Sequence, residues 1–330
     1  MRRRDFITLI GATAATWPRA ARAQRADQMR KVSVLLSLAE NDPEATNRVK
    51  AFRLGMRDLG WIEGRNVQIE YRFAGNDLES INRNVAEVVR LAPDVIVANS
   101  TAVMVALRPA TGTIPIVFAV VSDPVSQGFI SNLAHPGGNI TGFSFIEPDI
   151  VGKWINLLGD VKPNLSRVAL MFNPDFVPFF DVYLRSFKAV PRQTSVEVEA
   201  VHVRSVADVE LAIAELGREP DSGLIAASDA FLLAVRGVIL KSANEHRVPV
   251  ISPYRQLVIE GGLISYGPDT ADIFRRSASY VDRVLKGELP GNLPVQAPVK
   301  FELVVSLKTA KALGLSLRES FLQLADEVIE

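Results

Sequence analysis

Two hydrophobic periods alternate along the chain from Lys31 onward. Val32–Leu38 is a short apolar run and reads as a buried strand. Glu44–Gly60 follows, with Val49, Phe52, Met56 and Leu59 at helical spacing and Gly60 as the stop. Val67–Phe73 alternates as a strand does. Leu78, Ile81, Val85 and Val88 mark one face of a helix over Leu78–Leu91. Asp94–Ala98 predicts a strand, Thr101–Ala110 a helix and Ile114–Val121 a strand. Strand, helix, strand, helix implies a parallel sheet with crossover helices.

The alternation restarts after Phe145. Helices are predicted over Asp149–Leu158, Asp175–Val190, Val206–Leu216, Phe231–His246 and Ile273–Lys286. Strands are predicted over Arg167–Phe172, Val196–Val203, Ser222–Ala227, Val248–Ser252 and Gly262–Tyr266. The proline-rich Leu289–Pro298 reads as an extended connection. Phe301–Val305 adds a strand and Ser306–Leu313 a short helix. The expected fold is α/β, with two Rossmann-like lobes whose parallel sheets are flanked by helices.

Residues 1–23 do not belong to that pattern. Arg2-Arg3-Arg4 precedes an apolar stretch, Phe6–Trp17, that is too short to cross a bilayer core of roughly 30 Å. Ala21-Arg22-Ala23 then supplies an A-x-A cleavage site, so 1–23 reads as a signal peptide. Arg3-Arg4-Asp5-Phe6-Ile7 resembles the twin-arginine export motif, with Sec export as the alternative. The mature chain is expected to be exported, periplasmic, monomeric and not inserted in the membrane.

The 330 residues suffice for about two domains, and 48% are apolar, enough for sizeable cores. The formal net charge is zero, which disfavours a nucleic-acid partner. There is no cysteine, so thiolate chemistry and Cys-ligated zinc are excluded. His135, His202 and His246 are the only histidines and are scattered, so no metal site is expected. No G-x-S-x-G elbow, P-loop, G-x-G-x-x-G or H-E-x-x-H is present. No catalytic residue and no cofactor is therefore expected.

What repeats is the chemistry at the strand ends, where open parallel sheets bind ligands. Ser37 closes the first predicted strand. Asn99-Ser100-Thr101 follows the third, and Ser122-Asp123-Pro124 the fourth. Asn173-Pro174-Asp175, Ser228-Asp229, Ser252-Pro253-Tyr254 and Tyr266-Gly267-Pro268 hold matching places later. Each could simply cap a helix. Together they also suit a small zwitterion. Ser100 and Thr101, at a helix N-terminus, offer hydroxyls and N–H groups to a carboxylate. Asp123 or Asp229 can take an ammonium, and Tyr254 or Tyr266 can pack on an apolar side chain.

Longer motifs add a resemblance. Phe52-x-x-Gly55-Met56-x-x-Leu59-Gly60-Trp61-x-Glu63-Gly64-x-Asn66-Val67 resembles the TrpX-like family of ABC-transporter substrate-binding proteins. So do Pro136-Gly137-Gly138-Asn139-Ile140-Thr141-Gly142, Ser265-Tyr266-Gly267-Pro268 and Lys308-Thr309-Ala310-Lys311-Ala312-Leu313-Gly314-Leu315. The resemblance spans the mature chain. It implies a type I periplasmic-binding-protein fold with a ligand in the inter-lobe cleft and three crossings, near Phe143–Glu147, Tyr266–Pro268 and Leu293–Val299. The lobes would be 31–145 plus about 268–297, and 146–267 plus about 298–330. It further implies a small-molecule ligand, with an aromatic amino acid as the specific expectation, and an ABC permease as partner. A ligand-sensing accessory of a receptor kinase is the alternative function. An exported α/β hydrolase is a further alternative, against which the missing nucleophile elbow argues.

Overall fold

The computed structural model describes residues 29–147, 149–178, 180 and 196–330. The signal peptide and most of the helix expected over Asp175–Val190 lie outside these residues. The first sheet holds β1 (Arg30–Leu36), β2 (Val67–Phe73), β3 (Val95–Asn99), β4 (Ile116–Val121) and β5 (Ile140–Ser144). Their order is β2-β1-β3-β4-β5 and every pairing is parallel. The central strands β3 and β4 are buried along their whole length, as a sheet covered on both faces requires. The helices between them are α1 (Pro43–Asp58), α2 (Leu78–Leu91) and α3 (Thr101–Ala110). On α2 the buried positions Ile81, Val85 and Val88 lie on the face that the spacing marks.

The second sheet follows α4 (Ile150–Val161). It contains β6 (Arg167–Phe172), β7 (Glu197–His202), β8 (Ser222–Ala226), β9 (Val250–Ser252), β10 (Ile264–Pro268), β11 (Phe301–Ser306) and β12 (Glu327–Ile329). The order is β12-β11-β10-β9-β8-β6-β7, and β11 alone runs antiparallel to its neighbour β10. The helices in this half are α5 (Val206–Leu216), α6 (Ala230–Ala234), α7 (Arg236–Glu245) and α8 (Arg255–Ile259). After β10 come α9 (Thr270–Leu285), α10 (Leu307–Ala312) and α11 (Glu319–Leu322).

Several elements depart from the pattern reading. Strand β5 lies in a stretch to which the pattern assigns no strand. The single helix expected over Phe231–His246 is two, α6 and α7, joined at Val235. The short α8 and α11 carry too few turns to show a period. Strand β11 is antiparallel because the chain spends α9 on the other sheet and re-enters from the opposite end.

Helix α9 leaves β10 of the second sheet and packs on α1 of the first. The contact is close because of Gly55: a Cβ there would stand 2.5 Å from the Arg275 carbonyl oxygen and 2.9 Å from Ala278 Cβ. Trp61 Nε1 donates to Asp282 Oδ1 at 2.9 Å and ties the loop after α1 to the same helix. The chain beyond α9 then runs beside β5. Thr141 Oγ1 donates to the Leu293 carbonyl at 2.6 Å, and Gln296 N to the Gly142 carbonyl at 3.0 Å. The backbone thus passes between the two sheets three times: after Ser144, after Pro268 and after Gln296.

Gly55→Ala should push α9 off α1. The expected overpacking cost of about 1–3 kcal/mol exceeds the roughly 1 kcal/mol that alanine gains in a helix. Urea unfolding should show a lower midpoint; a midpoint unchanged or raised would show that the two helices can separate freely.

Candidate functional site

The carboxyl ends of both sheets face one another, and the two halves meet there through named contacts. Ser122 Oγ, after β4, lies 3.4 Å from Ser228 Oγ, after β8. Ser228 Oγ is 3.2 Å from the Tyr254 hydroxyl, after β9. The Tyr254 ring stacks on Phe145, which follows β5, at 5.4 Å between centroids. On α1, Arg48 Cζ lies 5.9 Å from the Tyr254 ring centroid. At the cleft edge, Arg236 on α7 donates through Nη1 to Asp42 Oδ2 at 2.8 Å, and through Nε and Nη2 to both oxygens of Glu260, each at 2.8 Å. Asp42 uses its other oxygen to cap α1, accepting from Glu44 N at 2.8 Å.

The backbone is strained at the same rim. Ser100 has φ of 82°, Val120 of 60° and Asp123 of 41°, a region that β-branched and most other side chains avoid. Val120 sits where the register between β4 and β5 slips. Such residues cost about 1–3 kcal/mol each and cluster at ligand clamps and active sites.

The sequence-predicted residues divide into groups. Asn99 is fully buried and its amide is engaged: Oδ1 accepts from Arg48 Nη1 at 3.2 Å and Nδ2 donates to the Ala119 carbonyl at 3.3 Å. Ser100 caps α3, its Oγ accepting from Val103 N at 3.5 Å, and Thr101 begins that helix half-buried. Asp123 Oδ1 accepts from Ser126 N at 3.1 Å. Asn173 Oδ1 accepts from Asp175 N at 2.9 Å. Ser37 is buried at the end of β1. Tyr254 joins the inter-lobe cluster directly. Tyr266 does not: its ring stacks on Phe301 at 5.6 Å, with Lys153 Nζ 5.7 Å from its centroid. Strand alternation explains the placement, since Ser265 and Gly267, its neighbours on β10, line a small cavity of about 70 Å³ with Tyr254 and Glu44.

Asp229 is engaged by the backbone. Its carboxylate accepts from the backbone N–H groups of Asn173, Phe231 and Leu232, the latter two at 2.7 and 3.4 Å. It is a buried capping group that ties β6 to α6. Burial raises its pKa to about 7, against the lowering effect of those three N–H groups. Glu147 is likewise raised to about 7, by burial first and then by the carboxylates of Asp123 and Asp149. Burial also pushes the Tyr254 hydroxyl up to about 12, so it is neutral and able to donate.

Glu44, Arg48, Phe145, Glu147 and Arg236 escape the strand-end reading. For two of them a signal exists. Glu44 and Arg48 share one helix face with Phe52 and Met56, and a charged pair on an apolar stripe marks a buried interaction. Arg48 Nε donates to Glu44 Oε1 at 2.9 Å, and the Thr270 hydroxyl donates to the same oxygen. Among the described residues no group of His, Cys, Asp and Glu could hold a metal ion. A larger cavity of about 640 Å³ lies within one half, beside α1 and β2, and is lined by Val49, Met56, Trp61, Ile69 and Phe73. It includes none of the strand-end cluster.

Comparison with known proteins agrees with this architecture. The pattern of the family described as "ABC transporter substrate binding protein" matches residues 31–329. A tyrosine-binding protein of Clostridioides difficile (strain R20291) is 26% identical over 293 residues, covering 88% of this chain and 84% of that protein. A solved ABC domain in complex with L-Trp from Streptococcus pneumonia superposes with a TM-score of 0.83 at 23% identity, covering 92% of this chain and 100% of that one. A ligand-free, open substrate-binding protein from Clostridium difficile superposes with a TM-score of 0.66 at 23% identity, covering 92% and 99%.

Two outcomes follow from this geometry. Asp229 binds a proton in the folded chain that the unfolded chain releases between its ordinary 3.8 and about 7. Its contribution to stability is therefore fully present below the unfolded value and is lost as pH rises through about 7. Urea midpoints should fall between about pH 5 and about pH 8, and less so in Asp229→Asn, which still caps; parallel pH profiles would refute the assignment. Separately, Arg236→Met leaves Asp42 capping α1 but strands a buried carboxylate, a loss of about 3–5 kcal/mol for the closed arrangement. Small-angle scattering of the ligand-free variant should show a larger radius of gyration than wild type, and an identical profile would mean the pair does not hold the lobes.

Proposed function

The chain belongs to the ABC transporter substrate-binding protein family, and on that premise we propose that it is an exported, monomeric receptor that closes on an aromatic amino acid and delivers it to a membrane permease. The lobes are 31–145 with about 268–297, and 146–267 with about 298–330. The observation that carries the reading is the inter-lobe cluster. Polar strand ends from both halves converge on Tyr254, and the only strained non-glycine residues of β3 and β4 and their ends line the same rim. A relative named for tyrosine binding and a fold neighbour holding L-Trp support the choice of ligand class. Among the described residues no helix is long and apolar enough to cross a membrane, which suits a receptor that works beside a separate permease.

The roles divide by lobe. The first residues of α3, Ser100 and Thr101, receive the α-carboxylate at the positive end of the helix. Asp123, with Glu147 beside it, takes the ammonium; Asp229 is spent on backbone N–H groups. Phe145 and Tyr254, which stack on one another across the cleft, part to admit the aromatic side chain between apolar faces.

Calorimetric titration with L-tyrosine and L-tryptophan tests this reading. Asp123→Asn should weaken binding by about 10- to 150-fold, the range of one charge-assisted hydrogen bond, while Asp229→Asn should stay within a few fold. The reverse ranking would move the ammonium to the other lobe, and no binding of either amino acid by wild type would reject the ligand class.

A further inference from the structure

We infer that Arg48 is the residue that makes this cleft select a carboxylate, so that an acid binds and its amide or decarboxylated analogue does not. The inference deepens the proposed function and rests on the cleft being the binding site, but not on the ligand being an amino acid. Arg48 is 2% exposed, yet it stands where the two lobes meet. Its guanidinium is only partly satisfied. Nε is held by Glu44 at 2.9 Å and Nη1 by Asn99 at 3.2 Å. Nη2, with two N–H donors, is buried and has no hydrogen-bond partner among the described residues. Leaving a buried donor of a charged group unmet is strongly unfavourable, so such a group marks the place of a missing acceptor.

The surroundings say what that acceptor is. The rings of Tyr254 and Phe274 lie on the guanidinium, each centroid 5.9 Å from Cζ, and supply no oxygen to Nη2. Asn99, the residue that holds Nη1, directly precedes Ser100 and the start of α3. A carboxylate at that helix N-terminus therefore meets the partial positive charge of the helix and the free edge of Arg48 together. Glu44 already neutralises Arg48. The second carboxylate makes a Glu–Arg–carboxylate arrangement whose extra negative charge is offset by α3. A neutral ligand would leave Nη2 unmet after closure has removed its access to water, so the discrimination is built into the closed state.

The test is a thermal-shift and calorimetric screen of the mature chain with paired probes. These are L-tryptophan and tryptamine, L-tyrosine and tyrosinamide, indole-3-acetate and its amide, succinate and succinamide, with glucose and arabinose as neutral controls. Wild type should bind at least one acid and reject the partner that lacks its carboxylate by about 10- to 100-fold or more. Arg48→Lys should weaken the acid while keeping the charge, and the double variant Glu44→Gln/Arg48→Met, which leaves no buried lone carboxylate, should lose the acid preference while remaining folded. Binding of a non-amino acid such as succinate with no binding of either amino acid would reject the amino-acid reading and keep this one. Equal binding of an acid and its amide by wild type, binding of the neutral sugars alone, or no binding of any acid in the series would overturn it without recourse to a variant. Unchanged acid affinity in Arg48→Lys and in the double variant would assign Arg48 to packing only.

Discussion

The contact between Arg236 and Asp42 is the interaction on which the shape of this cleft depends. Both side chains are nearly buried, at 8% and 9% exposure, and they belong to opposite halves of the molecule. A pair this dry gains little net stability, because desolvation offsets most of the attraction. What it does contribute is discrimination between arrangements: opening the lobes returns both charges to water, whereas closing them with a mispaired geometry would strand one. Glu260 holds the guanidinium in a fork from within its own lobe, and Asp42 is fixed by its duty as the cap of α1. Two pre-oriented groups therefore meet with little further ordering.

From that edge inward the cleft is built in layers. Tyr254 is the innermost, with its ring between Arg48 and Phe145 and its hydroxyl on Ser228. Its neutral hydroxyl and apolar body let one side chain serve both as a polar tie and as a wall. The strained backbone at Ser100, Val120 and Asp123 lies opposite. After the register shift in β4, Ser122 reaches Ser228 of the other half, and β4 behind it is buried throughout. Binding chemistry and backbone cost sit at the same positions because a rigid sheet is needed to sustain either.

The α1–α9 contact carries the same logic to the rest of the fold. Helix α9 follows β10 of one sheet but lies against the other, with Gly55 allowing near backbone contact. The two halves are therefore interleaved in sequence and joined by three extended passages. Gly267, where a Cβ would stand 2.2 Å from the Pro253 carbonyl oxygen, shows how closely one passage is packed.

The alternation of periods, the polar residues at strand ends and the motifs around Gly60-Trp61 are local properties, and the sequence by itself determined the two-sheet α/β design and the polar rim at the strand ends. Period 2 and period 3.6 are written within a few residues, and caps are written within one turn. Other features depend on what a residue meets far along the chain. Asn99 and Asp229 look like ligand groups until Arg48 and three distant or neighbouring N–H groups occupy them. Tyr254 and Tyr266 look equivalent until the pleat sends one into the cleft and the other onto Phe301. Glu44 and Arg48 lie four residues apart on a helix, but only the approach of Asn99, Thr270 and Tyr254 turns them into the floor of a site. The tertiary structure decided these roles because a hydrogen bond is spent once, and which partner spends it is settled by packing between elements that no local pattern encodes.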